Sequence, residues 1–368
     1  MSKTSAISPT QLFAVIILFE FGTALVIPIG LGNGWNTWLS ILLAMPGGII
    51  LYLLIVYFYK QYPSLILSGY IRKILGVYIG WPISLFYIVF FIYNGSRNLR
   101  EAGDLLISAS YDQTPITVVH ATLIIAVIYM LYKGINVLLR LAEIFVIIML
   151  LIGIFSNLAV ILSGAIELRN LLPALGEGWA STFKNAYPNI FMFPFGELIC
   201  FTTILPHLKQ KKVASKTGII AIIVSTILLS LTHAMEVSVI GSDVYSRATF
   251  PLFTAITTVE LAEFIQRLDA LVILALVIGV FFKMTVYAYA ASALAADIFR
   301  IPEKRKLAYP IGIIIFLLAV QSAWSFPEHK NEGVFVVNII LPVLVVIIPM
   351  LLLFIHLIKK RFSHSHRA

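Results

Sequence analysis

Long apolar runs that carry no charged side chain dominate this sequence. The stretch 144–162, for example, contains no Asp, Glu, Lys or Arg. A helix of about 20 apolar residues crosses the hydrocarbon core of a bilayer. Charged residues make up 12% of the chain, whereas soluble domains carry roughly 25%, and the mean hydropathy is +0.99. The sequence therefore predicts a polytopic integral membrane protein with little mass outside the bilayer.

Hydropathy divides the chain into ten predicted transmembrane helices within a single all-α membrane domain, residues 1–368. Two sets of five helices predict an inverted five-plus-five repeat, at about residues 8–165 and 185–360, because an odd number of spans reverses the second set. The mixed segment 64–75 is short enough to lie along the membrane surface. The predicted spans are residues 12–31, 38–59, 81–107, 116–132, 138–162, 187–208, 217–240, 268–296, 309–324 and 334–358.

The basic side chains lie mainly on one side of this predicted topology. Because cytoplasmic loops are rich in Lys and Arg, both termini are predicted to be cytoplasmic, and the net charge of +9 reflects topology rather than nucleic-acid binding. The opposite side holds Arg169, Lys184, Arg247, Arg267 and Lys330. The predicted cytoplasmic set is Lys3, Lys60, Arg72, Lys73, Lys133, Arg140, Lys209, Lys211, Lys212, Lys216, Arg300, Lys304, Arg305, Lys306, Lys359, Lys360 and Arg361.

The sequence lacks the usual patterns of catalysis and of metal binding. His120, His207 and His233 are scattered, without H-E-x-x-H spacing. The single cysteine, Cys200, excludes an internal disulfide and a multi-cysteine metal site. The glycines of segment 30–34 follow no strand and precede no G-K-[ST], so they indicate a flexible link rather than a phosphate loop. We therefore predict neither an enzyme nor a bound cofactor or metal.

Two predicted helices carry helix-breaking residues in mid-span. The sequence Glu-Phe-Gly-Thr at 20–23 lies in the first, and Phe-Pro-Phe-Gly-Glu at 193–197 lies in the sixth. Proline removes a backbone donor and glycine tolerates unwinding. Each site also holds a carboxylate at bilayer depth, where ionisable groups are costly and usually functional. The alternative is that Gly22 and Pro194 only allow kinks and close packing.

The two breaks occupy matching positions, since each lies in the first helix of its five-helix set. Matching interruptions in inverted halves are typical of the substrate site of a transporter. Unwound backbone offers N–H groups to a carboxylate and C=O groups to a cation. We therefore predict that the breaks together bind a small zwitterion such as an amino acid.

Polar side chains on the third predicted span form a second group of candidates. Tyr93, Arg97 and Glu101 are spaced four residues apart, so they share one face of the helix. Arg97 and Glu101 either contact a ligand or simply pair with each other and hold the bundle together.

The eighth predicted span carries Lys283 near mid-membrane, with Thr285 and Tyr289 four residues apart on one face. A lysine at this depth needs a carboxylate partner or loses its proton, and Glu197 and Glu20 are both candidates. Structural pairing, ligand contact and proton coupling all stay open for Lys283. We group Glu20, Glu101 and Lys283 as ion-pair or proton-coupling candidates.

Six short motifs, in order along the whole chain, carry a family resemblance. They are Ile7-Ser-Pro-Thr-Gln-Leu-Phe13, Phe19-Glu-Phe-Gly22, Trp35-Asn-Thr-Trp38, Arg97-Asn-Leu-Arg-Glu101, Arg140-Leu-Ala-Glu143 and Phe193-Pro-Phe-Gly-Glu197. With these motifs the chain resembles the B subunits of bacterial spore germinant receptors (the GerA family). That family is a branch of the amino acid–polyamine–organocation transporter superfamily.

The resemblance implies a fold similar to that of LeuT-like amino-acid transporters, with discontinuous first and sixth helices. It also implies a germinant, often an amino acid, and an A subunit and a lipoprotein C subunit as partners in the inner membrane of the spore. Arg97 departs from an apolar position of the family, which would alter ligand preference or tie the arginine to Glu101. The residues implied to bind ligand are Gly22, Thr23, Tyr93, Arg97, Pro194, Phe195, Gly196, Glu197, Leu198, Thr285 and Tyr289.

Two functions fit these features. The first is a germinant-receptor subunit that binds a nutrient at mid-membrane and triggers germination. The second is a secondary amino-acid transporter coupled to protons through Glu197, Lys283 or Glu101. Both use the same pocket, and the resemblance favours the first.

Overall fold

The computed structural model describes residues 7–30, 34–109, 113–173, 178–208, 210–259, 268–322 and 326–365. Lys3, Lys209 and Arg267 of the predicted loops lie outside the described residues, as do residues 31–33 of the glycine link and Trp324. The described α-helices are α1 (Pro9–Phe21), α2 (Thr37–Gln61), α3 (Leu67–Leu75), α4 (Val77–Ala109), α5 (Ile116–Lys133), α6 (Ile135–Leu162), α7 (Gly178–Lys184), α8 (Ala214–Arg247), α9 (Pro251–Thr257), α10 (Asp269–Ile298), α11 (Ala308–Gln321), α12 (Phe326–Phe335) and α13 (Ile348–Ser365).

Seven segments in the described part of the chain are helical, long and apolar enough to cross a bilayer. They confirm a multi-pass, all-helical membrane protein. The predicted spans 12–31, 187–208 and 309–324 correspond instead to the 13-residue α1, a broken segment and the 14-residue α11. The count of ten spans and the inverted repeat therefore stay predictions. The seven segments are Gly34–Gln61, Val77–Ala109, Ile116–Lys133, Ile135–Leu162, Lys211–Arg247, Asp269–Ile298 and Asn331–Phe362.

Helix α6 shows how the outer helices meet lipid. Ile144, Ile147, Leu151, Ile154 and Leu158, spaced three or four residues apart, are each more than half exposed. This spacing places them along one side of the helix. An exposed apolar stripe of this kind faces hydrocarbon rather than water.

Helix α1 lies at the centre of the bundle, packed against α6, α8 and α10. Its residues from Val15 to Phe19 are fully buried, as expected for a helix that is apolar on all sides. A capping box begins it, because the Ser8 side chain accepts from the Gln11 N–H and the Gln11 side chain accepts from the Ser8 N–H. Thr10 and Gln11 also donate to Glu143 of α6, at 2.5 and 3.3 Å.

The chain leaves helical geometry at Gly22, where α1 ends. Gly22 has a φ of +31°, a conformation that favours glycine. The chain then continues as turns, in which Thr23 C=O accepts from Val26 and Ile27. Gly279 of α10 packs directly on this turn, since a Cβ at Gly279 would lie 2.8 Å from the Gly22 carbonyl oxygen. The first predicted break is therefore present and is held against α10.

The second predicted break is also present. After α7, a π-helical turn (Asn185–Ile190) leads to an interruption at Pro194, and a 3₁₀-helix follows over Phe195–Thr203. The Glu197 N–H donates to the Pro194 carbonyl at 3.2 Å, so the chain tightens directly after the proline. Proline lacks the donor that would continue a regular helix here.

The predicted surface segment 64–75 forms the short helix α3. Its Arg72 pairs with Asp297 at the end of α10, with 2.6 Å between Nη2 and Oδ2. Ser68 donates to the same carboxylate at 2.5 Å. The segment is thereby fastened to the end of α10.

Because Gly279 packs closely on Gly22, we expect a glycine-to-alanine substitution to lower stability at Gly279 and to raise it at the open position Gly153. Gly279→Ala is expected to lower the free energy of unfolding by about 1–3 kcal/mol, because the new methyl group meets backbone. Gly153→Ala on α6, where a Cβ meets nothing within 4 Å, is the matched control. It should raise stability by up to about 1 kcal/mol through helix propensity.

Thermal unfolding of the purified chain in detergent measures both effects. Cys200 is the single cysteine and is buried, so a thiol-reactive fluorophore labels it as the chain unfolds. Equal melting temperatures for the two variants would contradict the close packing of Gly279 on Gly22.

Candidate ligand cavity at the two helix breaks

A cavity of about 400 Å³ lies between α4, the two breaks, the end of α8 and the start of the last apolar segment. Its volume is within the range of small-molecule sites, roughly 300–1,000 Å³. The wall combines charged and apolar side chains. The lining residues are Ile27, Pro28, Gly30, Asn94, Arg97, Glu101, Asn189, Phe193, Glu197, Arg247, Ala248, Thr249, His329, Gly333, Val334, Val336, Val337 and Leu341.

Lys283 forms a buried ion pair with Glu197, which lines the cavity. Lys283 Nζ lies 2.6 Å from Glu197 Oε2, and the two side chains are 0% and 4% exposed. The ammonium also lies 4.4 Å from the centre of the Phe193 ring and 5.4 Å from that of Phe19, where the ring faces attract a cation. Of the two partners that the sequence allowed, the structure pairs Lys283 with Glu197.

Lys283 connects the two breaks. Its aliphatic stem packs on Gly22, where a Cβ would overlap the Lys283 Cδ, while its ammonium pairs with Glu197. One side chain of the continuous helix α10 therefore fills the space between the interrupted segments. Gly22, Glu197 and Lys283, which are far apart in the sequence, meet here.

Glu20 adds a second carboxyl group beside this pair. It is fully buried, and neither of its oxygens has a hydrogen-bond partner among the described residues. Its electrostatic neighbours are Lys283 and Glu197. The Lys283 ammonium is thus the cation near both the Glu20 and the Glu197 carboxyl groups. Since an uncompensated buried charge is strongly unfavourable, Glu20 stays a candidate for ion pairing or proton coupling.

Arg97 and Glu101 of α4 form the second charged cluster of the cavity. Arg97 Nη2 lies 3.5 Å from Glu101 Oε1, and Arg97 Nη1 donates to the His329 carbonyl at 2.9 Å and to the Tyr93 hydroxyl at 3.4 Å. His329 Nε2 lies 3.4 Å from the same Glu101 oxygen. Gly333 packs on the guanidinium, which leaves no room for a Cβ. For Arg97, ligand contact and pairing with Glu101 are compatible, because the side chain pairs with Glu101 and also lines the cavity.

Among the residues predicted to bind ligand, Arg97 and Glu197 line the cavity. Thr23 is buried beside it, with its hydroxyl 3.5 Å from Asn98 Oδ1. Pro194 and Gly196 form the second break itself. As ligand contacts these residues stay predictions.

The other predicted contacts are engaged within the protein. Thr285 donates to the Phe281 carbonyl of its own helix at 2.6 Å. Tyr289 lies 2.9 Å from His207 Nε2, at the far end of the broken segment. Phe195 and Leu198 are fully buried. They too stay predictions.

Arg247, His329 and Asn189 line the cavity but were not among the residues predicted to bind ligand. Arg247 was one of few basic residues on its predicted side, and His329 precedes the last predicted span. Neither residue lies within a predicted span, so hydropathy gave no reason to place it at the site. A polar residue just outside an apolar run is a weak signal by itself.

A family model and two curated proteins similar to this chain all carry the description spore germination protein. The family model described as spore germination protein matches residues 6–327. Spore germination protein KB of Bacillus subtilis (strain 168) is 37% identical over 335 residues, which cover 91% of this chain and 90% of that protein. Spore germination protein A2 of the same organism is 25% identical over 312 residues, 82% of this chain and 80% of that protein.

A solved structure shares the fold. The crystal structure of MhsT in complex with L-phenylalanine superposes with a TM-score of 0.56 at 13% identity, and the match covers 95% of this chain and 88% of that one. At this identity the likeness shows a common fold and nothing about the ligand of this chain.

The buried pair predicts a non-additive response to mutation. Lys283→Met or Glu197→Gln alone should lower the free energy of unfolding, by about 3–5 kcal/mol, since each leaves the partner unpaired. The double variant should lose much less than the sum of the two, because it removes both charges. Thermal unfolding of the wild type, the two single variants and the double variant, followed by labelling of Cys200, measures this double-mutant cycle. Additive losses would show that the two groups do not interact.

Proposed function

The chain belongs to the spore germination protein family, and we propose that it is the membrane subunit of a germinant receptor that binds a small nutrient at mid-membrane and triggers germination. The family is not an enzyme family, and the fold is that of a transporter. An amino acid is the germinant that we infer for it.

The cavity at the two breaks carries this proposal. It presents charges of both signs, Arg97 and Arg247 against Glu101 and Glu197, and a zwitterion has both a carboxylate and an ammonium to pair with them. Its apolar wall, formed in part by Val337, suits a side chain. Placing opposite charges around an apolar pocket is the usual way to orient a small polar ligand.

Binding would be transmitted through Lys283. A ligand ammonium at Glu197 competes with the Lys283 ammonium, whose stem packs on Gly22. A ligand that displaces Lys283 therefore alters the contact of α10 with the first break as well. The extent of any such shift is limited by the difference in ligand affinity between the two conformations.

The resemblance to germinant-receptor B subunits extends the proposal to location and partners. We place the chain in the inner membrane of the spore, with both termini in the cytoplasm, because its basic residues gather on that side of the predicted topology. Its partners in this proposal are an A subunit and a lipoprotein C subunit.

A proton-coupled amino-acid transporter is the second candidate. The observation that favours it is the buried Glu20 carboxyl, which shares one lysine with Glu197 and so provides a group that can take up a proton. Uptake of labelled amino acids into vesicles that contain this chain alone would favour transport. A ligand response that requires the partner subunits would favour sensing.

The receptor proposal is tested with spores that lack this gene, exposed to a panel of amino acids, sugars and nucleosides. Loss of the response to one or more amino acids is expected. An unchanged response to every compound in the panel would contradict the proposal.

Gly22→Ala gives the sharpest test of the pocket. Alanine at a positive φ costs about 1–2 kcal/mol, and its methyl group would displace the Lys283 stem. We expect spores with this variant to need about tenfold more germinant, with normal abundance of the protein in the membrane. Gly153→Ala, in open space, is the matched control and should respond as wild type. A wild-type response of the Gly22 variant, at normal abundance, would count against the pocket.

A further inference from the structure

A second pocket, separate from the cavity at the two breaks, lies where the ends of α2, α3 and α13 meet. It has a volume of about 300 Å³. Three lysines contribute to its wall, and none of the described residues that line it is acidic. All three belong to the predicted cytoplasmic set, so the predicted topology places this pocket at the cytoplasmic end of the bundle. The lining residues are Gln61, Tyr62, Lys73, Ile74, His356, Lys359 and Lys360.

Contacts within the protein position two of the three lysine ammonium groups. Lys359 Nζ donates to the Ile74 carbonyl at 2.7 Å. Ile74 lies in the last turn of α3, where carbonyl groups have no partner within the helix. Lys73 Nζ lies 5.0 Å from the centre of the Tyr62 ring, within the range of a cation–π contact. A carbonyl and an aromatic ring orient these ammonium groups without neutralising them, so both keep their charge for a ligand.

His356 adds a buried nitrogen to the pocket wall. Its ring packs edge-on against Tyr57, Phe58 and Tyr62, and the residue is 8% exposed. Nδ1 lies 2.8 Å from the Tyr62 hydroxyl, whereas Nε2 has no hydrogen-bond partner among the described residues. When the hydroxyl donates to Nδ1, Nε2 carries the ring hydrogen and can donate it. Because a buried donor without a partner is unfavourable, a ligand oxygen that reached Nε2 would remove this cost.

The charge of the wall selects an anion rather than a neutral ligand. The ammonium groups of Lys73, Lys359 and Lys360 repel one another, and the lining residues include no carboxylate that would offset this repulsion. An anion bound between them would offset it. A phosphate group suits this position, because it carries several strong acceptor oxygens and can bond to more than one ammonium group.

We propose that this pocket binds a phosphate group, and that an anionic phospholipid of the cytoplasmic leaflet supplies it. Basic pockets between transmembrane helices on the cytoplasmic side are typical sites for phospholipid head groups. The preceding turns of α13 support the lipid as the source. Phe354, Leu357 and Ile358, spaced three or four residues apart, are exposed, and an exposed apolar surface of this kind faces hydrocarbon. The acyl chains of a lipid bound at the pocket therefore find an apolar surface on the same helix.

A phosphate group in the pocket would join two helices. Lys73 belongs to α3, whereas Lys359 and Lys360 belong to α13. The bond from Lys359 to Ile74 already connects these helices, and the bound anion would give lysines of both helices a common partner. Since a ligand that binds only the folded state stabilises it, the lipid should raise the stability of the folded chain.

The test is the thermal unfolding of the purified full-length chain in an uncharged detergent, followed by labelling of the buried Cys200. Added phosphatidylglycerol is expected to raise the melting temperature by roughly 2–5 °C. Phosphatidylcholine with the same acyl chains should have little effect, because its head group has no net charge. Equal shifts with the two lipids would overturn the proposal.

The variant that isolates the pocket combines Lys73→Gln, Lys359→Gln and Lys360→Gln. It removes the three positive charges from the wall and should lose most of the shift that phosphatidylglycerol produces in the wild type. A full shift in this variant would overturn the proposal.

The matched control combines Lys304→Gln, Arg305→Gln and Lys306→Gln. These residues lie on the same predicted side of the membrane, in the turn Lys304–Leu307, where no residue is buried. The control loses the same charge as the pocket variant but should keep the wild-type shift. An equal loss in both variants would show an effect of net charge and would overturn the pocket as a site.

If the triple pocket variant does not fold, Lys360→Glu carries the test by itself. Lys360 is exposed, and its substitution places a carboxylate in the pocket wall. The shift with phosphatidylglycerol should decrease in this variant and stay unchanged in its control, Lys304→Glu. A wild-type shift in the Lys360 variant would count against the proposal.

Sodium phosphate, added without lipid, distinguishes the two sources of the phosphate group. We expect it to leave the melting temperature unchanged. Stabilisation by sodium phosphate that the triple pocket variant abolishes would support the pocket as a phosphate site and overturn the lipid as its source. The assay uses no germinant, so its result is independent of the receptor role proposed above.

Discussion

The ion pair between Lys283 and Glu197 is the interaction on which the centre of this molecule depends. A continuous helix, α10, supplies the ammonium, and an interrupted segment supplies the carboxylate. Because both charges are buried, neither is stable there without the other. The lysine stem also packs on Gly22, so the pair sets the positions of both breaks relative to α10. Residues of both interrupted segments line the cavity beside the pair.

Two other buried polar clusters follow the same arrangement. Arg97 and Glu101 of α4 contact His329 of α12, and His233 of α8 contacts the turns after α1. In each case polar side chains join a long helix to a broken or short segment. Inside a bilayer such groups require partners. A ligand that changes one of these contacts would therefore also act on the attached segment.

Some residues of the family motifs make contacts that join distant segments of the chain. The motif that begins at Ile7 contains the capping box of α1, and its Thr10 and Gln11 donate to Glu143 of another motif. The motif around Trp35 contains Asn36, which donates to Thr182 at 2.9 Å. These contacts join segments that are distant in the chain. Several motif residues therefore contribute to packing between segments. Their presence in the sequence supports the predicted fold more directly than it supports the predicted ligand site.

The membrane class, seven of the predicted spans and both helix breaks followed from the sequence alone. They depend on the local hydropathy of each run and on the backbone chemistry of Gly22 and Pro194, which need no distant partner. Only the tertiary structure decided that Lys283 pairs with Glu197 rather than with Glu20. It also decided that Arg247 and His329 line the cavity. These contacts join residues far apart in the chain, and hydropathy carries no information about which faces of two helices meet. The contact of His233 with the Ala24 carbonyl likewise required the tertiary structure, because it joins α8 to the turns after α1.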